Sequence, residues 1–325
     1  MVISIMKNKK TVLICGATGF VGKNILIELS KNKNYKISAT YNKSKKFKIS
    51  NVRWIKTDLT NPIQVKKLTI NKDIVIQAAA TTSGANDILN KPFLHVTDNA
   101  IMNSYLLRSA YENKVKHFIF FSCTVMYHSS NKAIKEKDYN ASKKIYPKYF
   151  GVANTKLYIE KMCKFFSEIS NTKYTCIRHS NIYGQYDKYD LKKSHFFGAT
   201  IRKVMDANDE IKIWGKGSEK RDLLYVDDLV NFVKLCIKKQ KSKFEIYNCG
   251  LGKSYSVKEV VKKIVFISKK KLNITHDLTK TSLDTKIALD CDKALKELGW
   301  KPKVNLADGI KKTINWYKES KLFSK

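Results

Sequence analysis

Three glycines at a spacing of three residues, Gly16-Ala17-Thr18-Gly19-Phe20-Val21-Gly22, follow the apolar run TVLIC (11–15) and open a stretch with Ile25, Leu26 and Leu29 at helical spacing. A strand, a glycine turn and a helix in that order constrain the fold more than any other feature of the chain. The glycines let the turn close tightly, and they let backbone approach a pyrophosphate. The free N–H groups and the dipole of the helix N-terminus favour that anion. Only 13 glycines occur in 325 residues, so three at this spacing are not a compositional accident. A tight turn with close helix packing is the bland alternative, and it must account for three spaced glycines in so glycine-poor a chain.

The rest of the first half repeats the same grammar. Short β-rich runs occur at KISAT (36–40), NVRWI (51–55), DIVIQAAA (73–80), HFIFFS (117–122) and YTCIR (174–178). Helix-like segments near 98–114 and 151–171 lie between them. Strands that are apolar throughout, alternating with helices, predict a parallel sheet covered on both faces. The expected fold is therefore α/β, a doubly wound Rossmann-type sheet with a smaller C-terminal substrate-binding domain. The dinucleotide-binding part is expected over 9–178, with a return segment near 222–250 that includes EIYNCG (245–250). The second part is expected over 179–221 and 251–325, lying on the carboxyl ends of the strands, where open α/β sheets bind ligands.

The end of the second strand bears on the choice of dinucleotide. An acid there would hydrogen-bond the ribose 2′-hydroxyl of NAD, but the run is Tyr41-Asn42-Lys43-Ser44-Lys45-Lys46. A positive loop containing Asn42 and Lys43 favours the 2′-phosphate of NADP, with NAD as the alternative. Asp58 and Leu59, after the third strand, are placed to meet the adenine. Ala78, Ala79 and Ala80 would let a cofactor lie close to the fourth strand.

Composition matters here mainly for what it excludes. The formal net charge is +35, from 63 basic and 28 acidic side chains, yet only five of the basic residues are arginine. Nucleic-acid surfaces rely on arginine and concentrate their charge on one face. These lysines run from Lys7 to Lys325 without a single basic block, so no nucleic-acid partner is expected. The seven cysteines are scattered, with no CxxC pair and no cysteine–histidine cluster, so neither a disulfide framework nor a metal site is expected. No apolar run approaches membrane length and the N-terminus lacks a signal-peptide pattern. These features predict a reduced, cytoplasmic protein with no membrane partner.

The segments GATGFVG, KTDL and AAA, then Asn99 and a helix carrying Lys156, resemble the extended short-chain dehydrogenase/reductase superfamily, whose members modify nucleotide sugars. RHSNIYGQYDKYDLKKSHFFGATIRKV (178–204) and WGKGSEKRDLLYVDDL (214–229) are similar to the GDP-L-fucose synthase branch. The resemblance spans about Thr11 to Trp316. It implies a GDP-sugar substrate, C4 keto reduction with possible C3/C5 epimerisation, and Asn99 beside the cofactor. It also implies a homodimer formed through the helices near 98–114 and 151–171. Lys156 would hold the nicotinamide ribose, Asn181 would sit by the sugar, and His195 would be the acid/base of epimerisation. Arg202 and Arg221 would hold the diphosphate, Trp214 would border the nucleotide pocket, and Lys286 is assigned to the same substrate site. His179 directly follows the sixth strand and is read as structural.

Two departures from the pattern affect the chemistry. The superfamily tyrosine lies four residues before its lysine, and that position is Val152. Tyr149, seven residues before Lys156, can replace it only if it reaches in from outside the helix, because two helical turns span roughly 10 Å. In Ser122-Cys123-Thr124-Val125-Met126-Tyr127, Cys123 stands where the family has a serine or threonine, with Thr124 beside it. Cys123 can alternatively match the cysteine that fucose synthases use with their histidine. The run lacks the Thr-Asp-Glu sequence of 4,6-dehydratases. Two other readings stay open, a 4-epimerase or C4 dehydrogenase with tightly bound NAD, and a non-catalytic cofactor- or sugar-nucleotide-binding partner protein.

Overall fold

The computed structural model describes residues 9–82, 91–191, 194–279 and 285–320. Its centre is a sheet built from β1 (Lys10–Cys15), β2 (Tyr35–Tyr41), β3 (Val52–Lys56), β4 (Ile74–Gln77), β5 (His117–Ser122), β6 (Lys173–His179) and β10 (Phe244–Cys249). The seven strands run in the order β10-β6-β5-β4-β1-β2-β3, and every pairing is parallel. The order reverses at β1, so the crevice above β1 and β4 is where such a sheet takes a ligand.

Burial explains the unbroken apolar strands. Side chains alternate across a strand, and both faces of this sheet are covered. Val12 and Ile14 of β1 join one buried cluster with Ile25, Leu26 and Leu29 of α1 (Phe20–Ser30). Leu13 and Cys15 join another, with Leu106 and Leu107 of α3 (Thr97–Glu112) and Ile159 of α4 (Phe150–Glu168). The short helix α2 (Pro62–Leu68) adds Val65 and Leu68 to that second cluster.

The expected strand over 73–80 is cut to Ile74–Gln77 for a local reason. The Gln77 side chain accepts from Ala79 N at 3.3 Å and donates to Ala79 O at 3.2 Å, satisfying backbone groups that a strand would give to its neighbours. Ala79 and Ala80 thereby leave the sheet, while Ala78 N still donates to Cys15 O of β1 at 3.2 Å. β3 starts at Val52 rather than Asn51, because Asn51 turns with φ 60°.

Beyond β6 come β7 (Asn181–Tyr183), α5 (Phe196–Asp206), β8 (Glu210–Trp214), β9 (Lys220–Tyr225) and α6 (Val226–Lys239). After β10 follow β11 (Ser254–Ser256), α7 (Val257–Ser268), β12 (Asn273–Asp277), α8 (Asp292–Leu298) and α9 (Leu306–Glu319). A separate buried cluster unites Tyr183, Phe197, Ile201, Ile211, Leu223, Val260 and Ile310 from these later elements. Two carboxylates of the DLLYVDD run hold this part together. Asp222 accepts from Leu251 N, Gly252 N and Leu289 N, and Asp228 accepts from Lys303 N and Val304 N. Among the described residues no helix is long and apolar enough to cross a membrane.

Candidate active site

Backbone geometry shapes the glycine turn. Gly16 has φ +70°, and a Cβ there would lie 2.5 Å from Ala79 Cα. A Cβ on Gly22 would lie 2.3 Å from Gly16 O, so the third glycine lets α1 sit directly on the turn. The Thr40 hydroxyl accepts from Gly16 N at 3.0 Å and ties the turn to β2. Gly19 is the N-cap of α1, with no side-chain cap and no acid in the first turn. The N–H groups at that helix end therefore remain available to an anion. Thr18 lies in the turn, while Phe20 and Val21 open the helix. This cradle, which a Cβ would fill, fits a dinucleotide pyrophosphate.

On the β2–β3 side, an open pocket of about 510 Å³ is lined by Asn42, Arg53, Thr57, Asp58, Gln64 and Lys67. Asp58 accepts from Thr60 N at 2.9 Å and Thr60 Oγ1 at 2.7 Å. These bonds, with Lys43 nearby, hold its carboxyl below the usual range. Leu59 is buried in the core beside it. Asn99 spends its amide on protein. It donates to His95 O and Thr81 O and accepts from Thr81 N, fixing the segment that follows Ala80.

Residues from four elements converge on the opposite half of the crevice. Cys123 follows β5, Lys156 projects from α4, and Arg221 lies on β9. Tyr149 is not in the helix. It closes the turn Pro147–Tyr149 and serves as the N-cap of α4. Burial raises its hydroxyl pKa, Arg221 opposes that shift, and the Cys123 and Glu219 charges reinforce it. The Lys156 ammonium donates to Phe121 O at 2.7 Å and lies 4.7 Å from the Phe120 ring centroid. Burial lowers its pKa, against the pull of Cys123 and Glu160. Burial raises the Cys123 thiol, with Lys156 opposing. Thr124 is half-buried beside it.

His195 is the N-cap of α5 and faces Lys188, Arg221 and His95. Crowding by protein, and then those cations, lower its pKa, although the ring still reaches solvent. Arg221 stacks over Phe196 at 5.2 Å and lies 3.8 Å from Glu219. Asn181 donates to Asp222 O at 3.2 Å and is otherwise exposed. Lys286 pins a neighbouring loop, with its backbone N bonding Ser129 Oγ at 3.0 Å and its ammonium bonding Asn131 Oδ1 at 3.2 Å. Trp214 is 52% exposed with Lys203 over its ring. Arg202 pairs with Asp206 one turn along α5 and lies near Tyr317 and Asp190.

Sequence reasoning missed the support beneath this site. Arg178 and Glu160 form a buried two-pronged ion pair at 2.6 and 3.0 Å, and each side chain is 4% exposed. Glu160 also accepts from Ser122 Oγ at 2.6 Å, and Arg178 donates to Tyr127 OH at 3.0 Å. The network locks the residue before Cys123 to the helix turn after Lys156. The Lys156–Glu160 spacing of one helical turn was its visible signal. Glu219 was missed too. It is 7% exposed, and its Oε2 has no hydrogen-bond partner among the described residues.

Comparison with known proteins bears on the family and the fold. Residues 12–250 match the family model "NAD dependent epimerase/dehydratase family". The chain is 29% identical over 315 residues to the GDP-L-colitose synthase of Yersinia pseudotuberculosis, covering 95% of this chain and 98% of that one. It is 25% identical over 324 residues to the GDP-L-fucose synthase of Azorhizobium caulinodans, covering 96% and 97%. Among solved structures, the UDP-glucose 4-epimerase of Thermotoga maritima with UDP-glucose superposes with a TM-score of 0.84 at 24% identity, covering 95% of this chain and 98% of that one. The UDP-glucose 4-epimerase of Bifidobacterium longum, in complex with NAD+ and UDP, gives 0.81 at 21% identity, covering 96% and 99%. A parallel sheet with its glycine cradle, together with a family match over 12–250, places this chain in the NAD dependent epimerase/dehydratase family of enzymes, within the extended short-chain dehydrogenase/reductases.

Proposed function

We propose that the enzyme acts on a GDP-linked 4-keto sugar, epimerising carbon beside the ketone and reducing C4, with NADP(H) as its preferred cofactor. Residues 179–221 and 251–325 would form the sugar-nucleotide-binding part. The observation that carries the reading is geometric: Tyr149 lies near both Cys123 and Arg221, and His195 faces Arg221, so a thiol, a hydroxyl and an imidazole gather around one guanidinium. Burial raises the Cys123 thiol and lowers the His195 ring, which suits them to acid and base work respectively.

In this scheme His195 removes the proton from the carbon next to the ketone. Cys123 returns one from its own side, which inverts that centre. A nicotinamide cofactor held at the glycine cradle would supply the hydride for C4. Tyr149, Thr124 or an adjacent water delivers the proton to the C4 oxygen, and the Lys156 charge stabilises developing negative charge there. Arg221 grips the diphosphate, for which guanidinium geometry is suited. Gly16, Gly19 and Gly22 seat the pyrophosphate of the dinucleotide, and Asn42 and Lys43 favour a 2′-phosphate. The GDP-sugar names of the similar proteins support guanine as the base. Exposed Tyr158, Phe165 and Ile169, on and just after α4, support a dimer through α3 and α4.

The test is to incubate purified protein with a GDP-4-keto-6-deoxyhexose and NADPH in D2O. Expected are NADPH oxidation and deuterium at the carbons flanking C4. Tightly held NAD(H) that NADPH does not exchange, with C4 inversion of a GDP-sugar carrying a C4 hydroxyl supplied in place of the ketone and no net oxidation, would replace this reading with a self-contained 4-epimerase. Binding of the sugar nucleotide with neither hydride nor proton exchange would leave a non-catalytic binder.

A further inference from the structure

His179 has no role in the scheme above, yet its setting is that of a ligand-facing acceptor. It is the last residue of β6. Ser122 of β5 pairs with Arg178 of β6, so the residues that follow, Cys123 and His179, stand side by side at the ends of adjacent parallel strands. The ring is half-buried, 6.3 Å from the Phe121 ring, and it faces Lys156 and His195. Its Nδ1 lies 2.7 Å from Ser180 O. A carbonyl only accepts, so Nδ1 must carry the proton. Burial, opposed by this bond and reinforced by Lys156 and His195, pushes the ring down to about 4 and keeps it neutral. Nε2 is therefore a fixed lone pair. No hydrogen bond to it occurs among the described residues, and the nearby Lys156 ammonium is bonded to Phe121 O.

A dinucleotide whose pyrophosphate rests at Gly19 must direct its other half across the ends of β4, β5 and β6, each strand step being about 4.8 Å. On a nicotinamide ring the hydrogen-bond donor is the carboxamide NH2. We propose that His179 Nε2 accepts a hydrogen bond from the carboxamide NH2 of the cofactor and sets the rotation of the nicotinamide ring over Cys123 and Lys156. The proposal rests on the dinucleotide reading of the site.

The experiment measures binding, not turnover. Whichever of NADH and NADPH binds more tightly is titrated by calorimetry against its 3-acetylpyridine counterpart, in which a methyl replaces the NH2. One neutral hydrogen bond predicts that the wild-type protein prefers the amide by about two- to tenfold. His179→Phe should bring that ratio close to one, and His179→Gln, which keeps an acceptor, should retain most of it. ADP-ribose or its 2′-phosphate, which lacks the nicotinamide, should bind wild type and both variants equally. An unchanged amide preference in His179→Phe overturns the proposal. If that variant does not fold, ¹⁵N-imidazole spectra of the wild type decide. The Nε2 resonance must move with the amide cofactor and not with the acetyl analogue, and equal movement with both overturns the proposal. A wild-type protein that binds no dinucleotide at all defeats the cofactor reading itself.

Discussion

At the glycine turn the crevice is shaped by backbone. Gly16 has no room for a side chain against Ala79, Gly22 has none against Gly16 O, and a free helix end supplies the donors. At the far end the crevice is shaped by side chains from α4, α5, β9 and the segment after β5, separated by up to about a hundred residues of sequence. The first kind of site tolerates almost no substitution but needs only one contiguous segment. The second can exchange one functional group for another, because each side chain comes from its own element. What must persist there is the support, here the Arg178–Glu160 pair beneath Cys123 and Lys156.

The sharpest way to break this comparison is at His195. His195→Asn should slow deuterium exchange beside the ketone by about 10²–10⁴-fold while binding of NADPH, followed by fluorescence, stays within twofold. In the wild-type protein the exchange rate should fall on acidification only below the ordinary imidazole range, because the His195 pKa is lowered and the base stays unprotonated until then. Comparable losses of exchange and cofactor binding would mean that the two ends are not separable.

Next in size is the support. Glu160→Gln leaves the Arg178 charge buried without its counter-ion and should cost about 3–5 kcal/mol of stability in denaturant titration. A loss below about 1 kcal/mol would show that the network does not hold the site. Gly22→Ala forces a Cβ against Gly16 O and should cost about 1–3 kcal/mol. NADPH affinity should fall with it, since α1 must lift off the turn that presents its N–H groups. Retained affinity in that variant would contradict a backbone-built cradle.

The smallest effect is expected at the exposed Lys43. Lys43→Glu should shift the NADPH-to-NADH preference by about fivefold, in line with about 1 kcal/mol for a surface charge in salt. No change would move the source of any 2′-phosphate selectivity to Arg53 or Lys67 in the adjoining pocket.

Much of the fold was legible because its signals are local. The strand–glycine–helix segment, the unbroken apolar strands and their alternation with helices each fit in a short window, and only their ends were trimmed, as where the Gln77 side chain takes Ala79 out of the sheet. Much of the site was legible as residues but not as an arrangement. Tyr149 could be named from sequence, but only the turn that precedes α4, which begins at Phe150, takes it out of the helix and beside Cys123 and Arg221. Arg202 and Arg221 looked alike in sequence, and only folding pairs Arg202 with Asp206 and sets Arg221 beside His195. Arg178, also in a sugar-nucleotide motif, proved to be a buried partner of Glu160. His179 looked structural because a residue at a strand end usually is, and nothing in the chain order revealed that its free nitrogen would stand next to Lys156.

The sequence by itself determined the sheet, the glycine cradle and the class of cofactor, because steric and periodic constraints act between near neighbours. Tertiary structure alone decided which titratable groups share the cleft and in which direction their surroundings shift them. Desolvation and pairing depend on what distant segments bring to the same place, and no spacing along the chain encodes that.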